Sequence, residues 1–456
     1  MKRLSWVFVL LLGLSGCLQN NEVEADRVPE PDLASGVDHR VDVDRWIDNH
    51  LDETLAFYRD LHAHPELSGL ESRTAERVEE VLQSAGYAVT TGVGGTGVVG
   101  VFVNGPGPVL MIRGDMDALP VTEKTALPYA SEIRSQLADG REVGVMHACG
   151  HDIHVSNLVA VAQLLAAWKT HWSGTLVIVA QPAEETGAGA LAMIDHGLFE
   201  RFPRPDFVLA LHVESELPAG QLGYTSGWAM ANVDSVDVTF YGRSGHGARP
   251  HRAIDPILAA SHFVVALQSI VSRRIDPQAP AVVTVGVFRA GTKRNQIPET
   301  AHLELTVRSY SDAVRDQLLT EIGRIAKNTC HTFGCPKPPD VVPSEHYTPA
   351  AYNDPALTEQ AVTLFERIMG PEAVVERPAS MGGEDFGRYS RELGVPGLMF
   401  RLGAQPPSLY ADSQQVGGPT LPSLHSSTFA PDAELSLEVG VRAMALLALE
   451  LLGPGR

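Results

Sequence analysis

Residues 147–152 read His-Ala-Cys-Gly-His-Asp, which places a thiol and an imidazole, Cys149 and His151, two positions apart. If the segment is extended there, both reach one metal ion. The run Val177-Ile178-Val179-Ala180 leads into Gln181-Pro182-Ala183-Glu184-Glu185. Adjacent carboxylates at a strand end repel unless something positive lies beside them. A metal ligand next to a general base supplies that reason, although a lone Glu-Glu pair is usually a solvated loop. Val208-Leu209-Ala210-Leu211 delivers His212 to another strand end, where a single His is more often structural. A fourth position is His425, between Leu424 and Ser426. Together one thiolate, three imidazoles and a carboxylate make a donor set for a pair of divalent ions, with the Cys or a carboxylate as bridge. Thiolate and imidazole lean toward zinc, while carboxylate and open positions admit manganese, cobalt or nickel. Such ions acidify water and polarise a carbonyl. An unligated Glu nearby then accepts the water proton and passes it to a leaving amine.

The elements that must carry these residues alternate between helix and strand. Helical spacing of Trp46, Ile47, Leu51, Leu55 and Tyr58 starts the ordered chain near Val43. A second helix covers residues 74–85 and stops at Gly86. Short apolar runs at 98–103 and 108–112, bounded by Gly and Pro, predict strands. A helix at 156–168 and buried strands at 175–180 and 207–211 follow, so the body is an α/β layered sheet. Between residues 233 and 343 the order becomes strand (236–241), helix (256–270), two strands (281–288, 301–310) and helix (313–329). This predicts an α+β unit inserted between catalytic segments 43–232 and 344–456. The second segment closes with an apolar helix at 435–452.

The chain has 456 residues, 35 Lys+Arg against 55 Asp+Glu, and a formal charge of −20. That length is room for two to three domains. An acidic chain without basic runs lacks the phosphate-neutralising clusters that nucleic acid requires. With 4 Cys it is no disulfide scaffold. Lys2 and Arg3 followed by apolar residues 6–14 form a run too short to span a bilayer. It ends in Leu14-Ser15-Gly16-Cys17, which resembles the lipobox of bacterial lipoproteins. The expectation is a signal peptide over 1–16, lipidation of Cys17, and an acidic flexible tether over 17–42. Membrane attachment would then be by lipid alone. Leu18 is not the Asp that marks inner-membrane retention in enteric-type bacteria, which favours an outer-membrane protein facing the periplasm. In that compartment Cys330 and Cys335 are free to pair.

Longer motifs carry a family resemblance. Residues 59–67 (Arg-Asp-Leu-His-Ala-His-Pro-Glu-Leu), 113–120 (Arg-Gly-Asp-Met-Asp-Ala-Leu-Pro), 147–152 and 181–185 resemble the M20 metallopeptidases. Within them the likeness is to the amidohydrolase branch of hippurate hydrolases, N-acyl-amino-acid deacylases and auxin-conjugate hydrolases. Gly245-to-His251, Asn295-Gln296-Ile297-Pro298, Met381-to-Phe386 and Leu424-His425 continue it in matching order. The resemblance implies a mixed-sheet, zinc-exopeptidase-like catalytic domain with two metals. It also implies that the inserted unit is a ferredoxin-like lid that forms a homodimer.

Carried over by motif, Cys149, His151, Glu185, His212 and His425 are the metal ligands and Glu184 the general base. His246 stabilises the oxyanion, in some relatives from the partner subunit. Asn295 binds the substrate carboxylate or oxyanion, and Arg308 is a weaker candidate for the carboxylate. Asp115 replaces the His of other branches and is kept out of the ligand set. Asp117 either orients a metal-bound His or caps the turn before Pro120. His62, His64, His147 and His154 are left to structural or supporting duty. The implied reaction is hydrolysis of an N-acyl amino acid or peptide-like conjugate. A dipeptidase or carboxypeptidase with the same site is the nearest alternative. A non-catalytic conjugate-binding lipoprotein is the other, and it would have no need of Glu184.

Overall fold

The computed structural model describes residues 39–455. The lipidation site Cys17, the signal over 1–16 and nearly all of the tether lie outside the described residues. The tether's expected end is corrected: Arg40–Ala63 is already helix, so residues 40–42 belong to the body. Val43 and Ile47 one turn on are buried, and that burial holds the first turn in place.

A nine-stranded mixed sheet forms the centre. Its spatial order is Ala88–Val93, Gly97–Asn104, Trp172–Gln181, Val109–Asp115, Phe207–Pro218, Gly397–Gln405, Leu222–Tyr224 and Val374–Glu376. The short Gly453–Pro454 strand pairs with Trp172–Gln181. The four central strands run parallel, from Trp172–Gln181 through to Gly397–Gln405. Parallel strands are covered on both faces and so read as apolar runs. One face carries Leu110, Ile112, Ile178, Leu209 and Phe400 against helices that include Arg40–Ala63, His151–Ala167 and Ala433–Leu451. The other carries Met111, Val177, Val208 and Met399 against helices Gly189–Asp195 and Gly387–Leu393.

Helix His151–Ala167 is buried on nearly every side, as its apolar sequence demands. It starts five residues earlier than the pattern predicts. The condition of an extended Cys149–His151 segment is therefore not met, because His151 is the first residue of the helix. Gly150 makes the turn between them at φ 77°, and a Cβ there would lie 2.6 Å from Val213 Cγ2. Only glycine satisfies both constraints.

Between Asn232 and Pro343 the chain builds a second, antiparallel sheet with its own core. Its order is Ala281–Ala290, Thr300–Ser309, Asn232–Tyr241 and Asp340–Pro343. The Asn232–Tyr241 strand alternates buried and open positions, placing Val236, Val238 and Phe240 against Phe263, Leu267, Leu318 and Ile322 of two helices. Those helices, Pro256–Arg273 and Asp312–Phe333, are capped by Asp255, which accepts from Ile257 and Leu258 N–H, and by Ser311, which accepts from Val314 N–H. Cys330 and Cys335 form a disulfide at the end of the second helix. Asn232 ties entry to exit: its Oδ1 accepts from Ala350 N–H (2.7 Å) and its Nδ2 donates to Ser309 Oγ (3.1 Å).

Candidate metal centre and active site

The predicted ligands converge at the carboxyl ends of the parallel strands, where open α/β sheets bind their ligands. His212 Nε2 lies 3.7 Å from Cys149 Sγ, and His425 Nε2 lies 3.3 Å from it. Glu185 Oε1 stands 3.5 Å from His425 Nε2 and 3.9 Å from His151 Nε2. Cys149, His151 and His212 form one group that could hold an ion, and Cys149, Glu185 and His425 form another. Cys149 belongs to both, the position a bridging ligand would occupy.

The donor set fits divalent ions. His151 Nε2 and Glu185 Oε1 are buried without a hydrogen-bond partner. Unsatisfied buried polar atoms are costly, so their clustering asks for a cation. His212 donates from Nδ1 to Val213 O (2.7 Å), which leaves the Nε2 lone pair facing Cys149. Burial pushes the Cys149 thiol far up, the opposite of what a thiolate ligand needs and the shift that a bound cation reverses.

Neighbouring carboxylates hold this geometry. Asp117 accepts from the backbone N–H groups of Glu184 (3.1 Å) and Glu185 (3.0 Å) and from Ser68 Oγ (2.6 Å). Its Oδ1 also lies 3.3 Å from His151 Nδ1. These contacts run to the loop that carries Glu185 and toward the His151 ring. Glu71 accepts from Ala183 N–H (2.9 Å) on the other side of the same loop. Ala183 and His425 both adopt positive φ, 52° and 65°. Such strain persists only where surrounding bonds enforce it, and here it aims Glu184 and the His425 ring.

Asp115 is near His151, with Oδ2 3.6 Å from Nε2, but both its oxygens are committed. Oδ2 accepts from Arg113 Nη1 (2.7 Å) and Oδ1 from His154 Nδ1 (2.6 Å). His154 Nε2 accepts from Val213 N–H (2.9 Å), so that imidazole is neutral and occupied. His62 bridges Asp152 (2.6 Å) and Glu123 (3.1 Å) away from the cluster, and those bonds overcome burial to raise it to about 9. His64 is exposed and caps Asp60 O (2.8 Å), while His147 is buried with neither ring nitrogen paired.

Glu184 completes the centre, with Oε2 4.0 Å from His151 Nε2. Burial first, then the charges of Glu384 and Asp385, push its carboxyl well above the usual range. Glu384 was not singled out by sequence; its Oε1 takes Arg113 Nη2 (2.9 Å) while its Oε2 is buried and unpaired. The signal was available, since Glu384-Asp385 is a second acidic pair inside a recognised motif. His246 and Asn295 sit together on a small ribbon, where Gly247 N–H donates to Asn295 O (2.8 Å) and His246 pairs in register with Gln296. Both are exposed, and among the described residues neither bonds to the ligand cluster. Arg308 reaches the Gly382-Gly383 loop from the inserted sheet: a Cβ on Gly383 would lie 3.5 Å from its Nη1.

A layered α/β sheet with a thiolate–imidazole–carboxylate cluster at its strand ends defines a metal-dependent hydrolase. Residues 111–416 match the peptidase family M20/M25/M40, and the chain belongs to that family. It is 34% identical over 413 residues to thermostable carboxypeptidase 2 of Saccharolobus solfataricus, covering 90% of this chain and 96% of the relative. It is 35% identical to the N-acetyldiaminopimelate deacetylase of Bacillus subtilis, covering 86% and 97%. A solved dinuclear metal-binding peptidase of the M20 family from Bacillus subtilis superposes with a TM-score of 0.72 at 29% identity, covering 89% of this chain and 99% of that one.

Proposed function

We propose that this metal-dependent amidohydrolase cleaves the amide of N-acyl amino acids or related amino-acid conjugates, releasing a carboxylate and an amine. The observation that carries the reading is the meeting of Cys149, His151, Glu185, His212 and His425 beside the part-buried carboxyl of Glu184. These five residues would hold two divalent ions, whose Lewis acidity lowers the pKa of water and polarises the amide carbonyl. Glu184 takes the proton from the attacking water and returns it to the leaving nitrogen. Asp117 keeps the shuttle in place through the backbone of residues 184 and 185. A relative named as a deacetylase of an N-acetylated amino acid supports the substrate class, and one named as a carboxypeptidase supports peptide-like amides as the second reading.

Glu184→Gln is the direct test. It should lower kcat by roughly 10²- to 10⁴-fold while metal content is retained. Unaltered turnover of N-acyl amino acids in that variant would remove the assigned shuttle. The non-catalytic alternative predicts no turnover by the wild type with any metal added. Lipid attachment at Cys17 is proposed on its motif alone: radiolabelled palmitate should enter the wild type expressed in a lipoprotein-processing bacterium and not Cys17→Ser. Equal labelling of the two would dismiss the anchor.

A further inference from the structure

The catalytic face of the sheet buries two arginines, and they are unlike. Arg113 is saturated: Nε donates to Gln181 Oε1 (2.9 Å), Nη1 to Asp115 (2.7 Å), and Nη2 to Glu384 (2.9 Å) and Asp385 (3.1 Å). Arg401 is 9% exposed, yet it makes no hydrogen bond or ion pair among the described residues. It is the single charged residue in the strand Gly397–Gln405, whose sequence Gly-Leu-Met-Phe-Arg-Leu-Gly-Ala-Gln is otherwise apolar or amide. In parallel register Arg401 stands beside His212, so their side chains leave the sheet on the same face. Glu214 and Glu384 are the carboxylates whose charges reach it most strongly, and neither comes within ion-pairing distance. Glu214 Oε1 faces the backbone N–H of Glu216 instead (3.3 Å).

The Arg401 guanidinium nitrogens keep some contact with solvent, but a cation held so largely out of water without a partner gains when an anion arrives. A guanidinium offers that anion a planar fork matched to a carboxylate, which an ammonium does not. The substrate supplies one. In an N-acyl amino acid the free carboxylate is a single carbon away from the amide nitrogen. A carboxylate gripped beside His212 therefore leaves the scissile bond next to the Cys149–His212 cluster. Arg308 is the competing cation, but its Nε is engaged by Thr306 Oγ1 (3.1 Å) and its side chain is only half-buried. The more solvated arginine gains less from an added partner.

We propose that Arg401 receives the free carboxylate of the substrate's amino-acid moiety and so sets the preference for N-acyl amino acids over amides lacking that group. The proposal rests on the amidohydrolase reading and adds a specificity determinant to it.

The test uses the metal-loaded full chain with N-acetyl derivatives of methionine, cysteine and leucine and with the matching C-terminal carboxamides. Release of the α-amine is the readout. Arg401→Gln should lose roughly 10- to 100-fold in kcat/KM on the acids, mostly through KM, and change by less than about threefold on the carboxamides. Arg401→Lys should recover part of the acid preference, because charge survives without the fork. Metal content and melting temperature, measured on every variant, identify misfolding, and the Lys variant carries the test if the Gln variant fails to fold. An unchanged acid-to-carboxamide ratio would overturn the proposal, as would an equal loss on both series with metal retained. Absence of wild-type turnover on every acid would strike the amidohydrolase reading itself, and this proposal with it.

Discussion

At Cys149 two imidazole nitrogens lie 3.3 and 3.7 Å from one sulfur, in a site where burial pushes the thiol far up. A protonated thiol gains little there, whereas a thiolate would be neutralised by the divalent ions that the site would hold. Cys149→Ser should therefore lose most bound metal and most activity, while the fold, held by a core the sulfur does not touch, melts within a few degrees of wild type. Elemental analysis and a thermal melt decide it, and full metal content in the variant would remove Cys149 from the centre. This residue was legible in the sequence because a Cys two positions from a His is a local signal. Arg113, Glu384 and Arg401 were not, because their meaning is a partner. Arg113 and Glu384 are 271 positions apart and meet at 2.9 Å, a pairing that no spacing rule anticipates. Arg401 had one readable sign, a charge within an apolar strand run, and that sign speaks only when its lack of a partner is seen.

Among the elements, apolar periodicity located the long ones and misjudged their ends where function intrudes. The His151–Ala167 helix reads as starting at Ser156 because His151, Asp152 and His154 look like loop residues. His151 is polar because it lines the site, while Asp152 and His154 bond His62 and Asp115 behind it; Asp152 in the first turn also suits the positive end of the helix dipole. Site chemistry thus masks the helix start, and the same holds for Phe207–Pro218, which runs seven residues past the predicted apolar segment. The short strands Leu222–Tyr224 and Val374–Glu376 carried no pattern long enough to read. Asp432 caps the last helix by accepting from Leu435 N–H (3.2 Å).

For the whole molecule, the arrangement of the inserted unit argues for a second copy. Its Ala281–Ala290 strand is at a sheet edge, paired on one side only, with Phe288 exposed. Helix Pro256–Arg273 packs one face into the insert's core and leaves Leu258, Val265 and Val271 open, Val265 at 73%. An unpaired edge beside an apolar helix face is a hazard unless covered, and a self-complementary contact covers both at once. His246 and Asn295 point to the same answer, since they lie exposed on the insert and, among the described residues, bond to nothing in their own chain's cluster. We propose a homodimer in which the insert of each chain contributes these residues to its partner's site. Sedimentation at micromolar concentration should give twice the 49.0 kDa chain mass, and Leu258→Asp with Val265→Asp should give the monomer. Mixing inactive Glu184→Gln with inactive His246→Ala should restore part of the activity, because one of the mixed dimer's two sites is intact. A wild-type monomer, or a mixture no more active than its components, would return His246 and Asn295 to a role within their own chain.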